Sequence, residues 1–331
     1  MTPLDKMTTA ARNALVHVLD LTAGDSVLVV TDSHTTRVGE AFRDGAAREG
    51  SAVDLFFLPP NGRPLSELPP GLGEALDGKT IVINVFKSMQ EETPFRIKWI
   101  KAVYSTKKTR IGHCPGITEA MMTEGPMNVD YAAMSRTAHD LIGRFAHARS
   151  VHITAPGGTD LVIDITGRPF LTDVHATVEM GCNLPCGEIY NAPVESGADG
   201  LLVVDGSIGD VGNVDKPLFI TIKEGRIDTI ESEDTALLAE VRKLTNIDAE
   251  ASLLGELGIG VNPGAKLTGN LLEDEKAYRT AHIAFGNNEE MPGGRNTSAT
   301  HRDFLFYDPT FEVTFADGSS KLLIEKGKFR I

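Results

Sequence analysis

Cysteine is scarce: Cys114, Cys182 and Cys186 are the only three in 331 residues. So small and odd a number builds no disulfide scaffold and suits a reducing compartment. No apolar run reaches the ~18 residues of a spanning helix. Residues 1–6 lack the basic-then-apolar layout of a signal peptide, so a cytoplasmic protein is expected. Basic residues are in deficit, 32 against 46 acidic ones, for a formal charge of −14. An excess of that sign repels phosphate backbones and anionic lipid, which argues against nucleic acid and membranes as partners. Glycine is missing where a nucleotide would need it. The turn Asp32-Ser33-His34-Thr35 after the first strand-like run has none, and no G-x-x-x-x-G-K-[ST] occurs. A dinucleotide or triphosphate site is therefore disfavoured. The glycines of Gly255-Glu256-Leu257-Gly258-Ile259-Gly260 have the wrong spacing for one. Disorder is disfavoured as well, since 41% of the chain is apolar.

What remains is a folded α/β chain long enough for two domains. Strand-like runs at 26–31, 53–58 and 80–86 alternate with a helix running to about residue 49 and a loop broken by proline and glycine. That rhythm predicts an amino-terminal Rossmann-like parallel sheet with helices on its faces, in a scaffold domain of residues 1–148. A helix is expected over 131–145. From 149 to 331 short β-type runs dominate, at 150–154, 161–165, 201–206, 218–223, 226–231, 281–286, 301–306, 311–315 and 321–325. One helix, 234–244, interrupts them. This predicts a second, mostly β domain, a bent sheet or barrel.

The second domain concentrates potential metal ligands. Residues two apart on a strand share a face at roughly 6.6 Å, so His301 and Asp303 can reach one centre; a chance pairing with a surface Asp gives the same pattern. In Thr280-Ala281-His282-Ile283-Ala284-Phe285-Gly286, His282, Ala284 and Gly286 point the same way, leaving a hollow beside the imidazole. A core histidine is the alternative. The acidic run 272–275 reads equally as a solvated helix end. Glu188 stands in a loop rich in proline and glycine, where a buried carboxylate needs a cation; Glu256 has the same character. Cys182 and Cys186 lack the further ligands of a zinc finger and read as packing residues.

Together these segments resemble the aminopeptidase T family, metallo-exopeptidases also called thermophilic leucyl aminopeptidases. The segment Pro185-Cys186-Gly187-Glu188-Ile189-Tyr190-Asn191-Ala192-Pro193 matches the family's Pro-x-x-Glu motif. Glu256 in Gly255-Glu256-Leu257-Gly258 matches a second glutamate, and Asp274-Glu275 an acidic pair ahead of His282-Ile283-Ala284-Phe285-Gly286. Thr300-His301-Arg302-Asp303-Phe304 matches the last motif. The resemblance implies metal ligands Glu188, Glu256, Glu275, His282, His301 and Asp303, a homodimer, and removal of the amino-terminal residue of small peptides. The attacking water is then activated by two metal ions, with Glu256 or another carboxylate not fully used as a ligand taking its proton. Past its first metal histidine the family carries a tyrosine where this sequence reads Asn287-Asn288-Glu289; Tyr278 and Tyr190 are the candidate substitutes.

Charge counting bears on the number of ions. Glu188, Glu256, Glu275 and Asp303 bring four negative charges, which two divalent cations balance and one does not. Zinc, cobalt and manganese all suit such mixed ligands. Two rival readings stand beside the peptidase. An iron(II) ring-cleaving dioxygenase of the dihydroxypyridine kind would use His282, His301 and Asp303 as a facial triad. A non-catalytic, metal-stabilised small-molecule-binding protein would use the cluster for stability alone.

Overall fold

In the computed structural model, which describes residues 1–330, the apolar run Ser26–Thr31 is buried along nearly its whole length. It lies second in a parallel sheet of five strands, in the order Ala52–Phe57, Ser26–Thr31, Ile81–Val85, Arg110–His113 and Cys182–Asn183. This sheet belongs to a compact unit made of Met1–Ser135 and Asp173–Cys186. Helix Pro3–Val18 starts at a capping box between Thr2 and Asp5 and buries Met7, Ala10, Ala11, Ala14, Leu15 and Val18 on one stripe. The strand order reverses between Ser26–Thr31 and Ile81–Val85, the place where open α/β sheets bind ligands. Here the residues that follow those strands tie to one another. Asp32 accepts from the backbone N–H of Lys87 at 2.9 Å and from Arg63 at 2.7 Å. Arg63 also grips the fully buried Glu92 with its Nε at 2.6 Å. All three cysteines are buried and free of disulfides. Among the described residues, no helix is long and apolar enough to cross a membrane.

The second unit comprises Arg136–Thr172 and the chain from Gly187 onward. Its strands form two antiparallel sheets, which makes it the mostly β second domain that the sequence predicts. The eight-stranded sheet runs Arg226–Ser232, Leu218–Lys223, Ala198–Val204, Asp160–Asp164, Ala148–Thr154, Thr310–Phe315, Ser320–Glu325 and Lys328–Phe329. The seven-stranded sheet runs Gly212–Asn213, Ser207–Ile208, His301–Tyr307, Thr280–Gly286, Leu254–Gly260, Glu188–Asn191 and Leu171–Thr172. Helix Thr235–Leu244 is capped by Asp234, whose carboxylate accepts from the N–H groups of Ala236 and Leu237.

Two strands of the seven-stranded sheet differ from the local pattern. Glu188–Asn191 is a strand where proline and glycine suggest a loop, and the glycine-rich Leu254–Gly260 is a strand buried at every residue. The two pair with each other over residues far apart in sequence, Gly258 opposite Tyr190 and Gly260 opposite Glu188. Their glycines serve close approach: a Cβ on Gly260 would fall onto the carbonyl oxygen of Ala277. Gly260→Ala is therefore expected to destabilise the fold by about 1–3 kcal/mol through overpacking. The measurement is a denaturant midpoint that falls with an unchanged slope; an unchanged midpoint would show that the backbone at Ala277 yields freely.

Candidate metal centre

Three adjacent strands carry the chemistry. Thr280–Gly286 sits between Leu254–Gly260 and His301–Tyr307, and the register sets Glu256 opposite Ala284 and Ala284 opposite Asp303. Gly258 lies opposite His282, and Gly286 opposite His301. Directly opposed residues share a face, so the large polar side chains alternate across the sheet with glycine and alanine. The hollow beside His282 expected from its own strand is deepened by the neighbouring one. A Cβ on Gly258 would collide with the imidazole Nε2 of His282. Glu188 opens the next strand of the same sheet.

These residues converge. His282 Nε2 lies 3.1 Å from Glu256 Oε1, 3.6 Å from Glu188 Oε2 and 4.0 Å from Asp303 Oδ1. His301 Nε2 lies 3.3 Å from Glu256 Oε2 and 3.5 Å from Asp303 Oδ1. Two sets of donor atoms, each able to surround one ion, result: Glu188, Glu256 and His282, and Glu256, His301 and Asp303, with all atoms of a set within 4.8 Å of one another. Glu256 belongs to both and turns one oxygen to each imidazole. His301 donates from Nδ1 to the backbone carbonyl of Asn287 at 2.7 Å, which fixes the tautomer and leaves Nε2 facing the centre. The Nδ1 atom of His282 is buried with no partner among the described residues.

Burial and charge oppose each other here. Burial alone would raise the Glu256 carboxyl, but hydrogen bonds from both imidazoles hold it well below the usual carboxylate range. Asp303 is likewise lowered, burial being outweighed by His301. Burial disfavours a charged His282, yet its bond to Glu256 and the surrounding carboxylates raise it to about 9. His301 is raised well above its ordinary value, with Asp303 overcoming burial. Three buried carboxylates thus draw protons onto two imidazoles. Divalent cations can take the place of those protons, and a donor set of three carboxylates and two imidazoles fits zinc, cobalt or manganese.

Glu275 stands outside both sets. Its carboxylate lies 2.7 Å from the ammonium of Lys276, which is fully buried and also bonds Glu188 Oε1 at 2.5 Å. Burial raises the Glu275 carboxyl above its usual range. The acidic run before it is no solvated helix end. Glu273 and Asp274 are buried, and Asp274 accepts from the backbone N–H groups of Thr268 and Gly269. Lys276, Gly258 and the Asn287 carbonyl escape sequence reasoning. Their only signals are a lysine directly after an acidic run and a glycine two residues past Glu256. Tyr278 packs edge-on against Phe329, its ring 5.0 Å away, whereas Tyr190 lies opposite Gly258 in the strand register. A cleft of about 260 Å³, lined by Asn287, Asn288, Glu290, Met291 and His301, opens beside the one partly exposed imidazole.

The chain is 25% identical over 208 residues to aminopeptidase AmpS of Bacillus subtilis strain 168, a match covering 55% of this chain and 50% of that protein. This chain therefore spans about half the length of the curated relative it matches. Among solved structures, 2,5-dihydroxypyridine dioxygenase from Pseudomonas putida KT2440 superposes with a TM-score of 0.76 at 18% identity, over 99% of this chain and 98% of that one. Wild-type AmpT from Thermus thermophilus superposes with a TM-score of 0.73 at 17% identity, over 99% of both chains. At such identities the two likenesses bear on the fold alone. The model of the thermophilic metalloprotease (M29) family matches residues 144–329. That stretch is more than half of the chain and contains every residue of the centre, and on it the chain belongs to the thermophilic metalloprotease family, M29.

Proposed function

We propose that this protein is a cytoplasmic, homodimeric metallo-aminopeptidase that removes the amino-terminal residue of small peptides with two divalent ions. The observation that carries the reading is the division of Glu256 between two donor sets, one around each imidazole. A carboxylate shared in this way suits a pair of ions roughly 3.5–4 Å apart, the spacing of two-metal hydrolases. Glu188 and His282 complete one set, and His301 and Asp303 the other. The aminopeptidase name of the Bacillus relative points the same way.

When bound, such ions lower the pKa of water toward neutrality and polarise a scissile carbonyl. The chain's own residues do the rest. The carbonyl of Asn287 aims His301, Gly258 leaves the room that His282 occupies, and burial keeps competing water from the carboxylates. With both oxygens turned to imidazoles, Glu256 suits sharing two ions better than accepting a proton. Substrate reaches the centre through the cleft beside His301, the side open to solvent. In a dioxygenase, His282, His301 and Asp303 would serve one iron, leaving Glu256 as uncompensated buried charge and Glu188 balanced only by Lys276. Their retention favours the peptidase. A purely structural role is disfavoured by the donor chemistry, since structural zinc sites are closed and rich in thiolate.

Protein purified without added metal is expected to carry two ions per chain with zinc, cobalt or manganese chemistry, read by elemental analysis. One iron per chain with ring-cleaving activity would overturn the reading. His301→Ala and Asp303→Ala are expected to abolish both metal retention and peptide turnover; activity surviving either change at full metal content would count against it.

The imidazoles also set a pH signature. In metal-depleted protein His282 stays protonated up to about pH 9, so metal binding must expel protons. Calorimetric titration with zinc at pH 7, in two buffers of different ionisation heat, should show proton release and an affinity that climbs with pH. Heats independent of the buffer would remove both histidines from the ligand set. The same shift stabilises metal-depleted protein below the ordinary imidazole pKa of 6.5, and that stability fades as pH rises through about 9.

A further inference from the structure

A fully buried lysine beside a cluster of carboxylates needs a reason. Taking an ammonium out of water costs several kcal/mol unless it is paired, and Lys276 is fully buried. Its ammonium meets Glu188 Oε1 at 2.5 Å and Glu275 Oε1 at 2.7 Å. Its backbone is anchored on both sides: the N–H donates to the carbonyl of Glu273 at 3.1 Å, and the carbonyl accepts from Asn262 at 2.9 Å. Ala277, the next residue, forms a bridge with Asn262, just beyond the strand that carries Glu256. The charge is therefore held on a rigid frame.

Both carboxylates that Lys276 grips are ones the family resemblance makes metal ligands, and the geometry treats them differently. Glu188 has one oxygen against the ammonium while the other lies 3.6 Å from His282 Nε2, on the side of the centre. Glu275 contributes to neither donor set. We propose that Lys276 is a positioning residue of the centre: it takes one oxygen of Glu188, so that Glu188 offers a metal a single oxygen, and it retains Glu275 as its counter-ion and not as a ligand. The proposal rests on the reading of Glu188 as a ligand. Its consequence is a coordination sphere one carboxylate smaller than the sequence implies, with a fixed internal cation supplying part of the charge balance.

Cobalt(II) reports on this directly, because its visible absorption follows coordination number and ligand geometry. Glu275→Gln keeps Lys276 paired with Glu188 and is expected to retain the wild-type number of cobalt ions and the wild-type spectrum. Lys276→Met combined with Glu275→Gln removes one buried charge of each sign, so neither is left unbalanced. It frees Glu188 Oε1 to bind, and is expected to change the spectrum and weaken cobalt affinity about 10–100-fold, the usual effect of losing a residue that orients a ligand. Loss of a cobalt ion in Glu275→Gln overturns the proposal, and so does a wild-type spectrum in the double variant; both leave the ligand reading standing. Unchanged cobalt binding in Glu188→Gln is the distinct result that overturns the ligand reading, and the proposal with it.

Discussion

The interaction on which the rest of the second unit depends is the mutual repulsion of carboxylates taken out of water. Glu188, Glu256 and Asp303 are each less than 8% exposed, and they crowd around two imidazoles at 3.1–4.0 Å. A single uncompensated carboxylate in such surroundings costs several kcal/mol, so the fold must supply positive charge at that spot. It does so with Lys276 and two imidazoles whose proton affinity is raised by the same acids. Divalent ions binding there would have to displace the imidazole protons, whereas the acids are already ionised.

Much of the surrounding architecture follows from making room. Five large polar side chains can meet above one sheet only if their neighbours are small, and Gly258, Ala284 and Gly286 fill the intervening positions on the three central strands. Glycine inside a strand normally weakens it. Here complete burial of Leu254–Gly260 between two partner strands offsets that loss. The first unit meets a similar problem with a different solution. At the reversal of its parallel sheet, Arg63 lies between Asp32 and Glu92, so a fixed guanidinium provides the neutralisation that Lys276 and the imidazoles provide in the second unit.

A dioxygenase and AmpT both superpose on this fold. A fold common to such different proteins does not choose a reaction. The choice lies in the side chains set on that backbone.

Period and composition made much of this protein legible in advance. The alternation of apolar runs and helices revealed the parallel sheet, because buried parallel strands read as continuous apolar stretches. Helix Thr235–Leu244 was legible from the spacing of its apolar residues, and a helix over 131–145 was expected as well. His301 and Asp303, two apart on a strand, declared a shared face, and His282 with Ala284 and Gly286 declared a hollow. The sequence alone could not reveal which strands lie side by side. Leu254–Gly260 and Glu188–Asn191 are strands only because each finds its hydrogen-bonding partner far along the chain, and local propensity carries no trace of that. Nor could it tell a ligand from a counter-ion. Glu275 reads as the end of a solvated acidic stretch; tertiary burial pairs it with Lys276, because charges removed from water must neutralise one another where they lie.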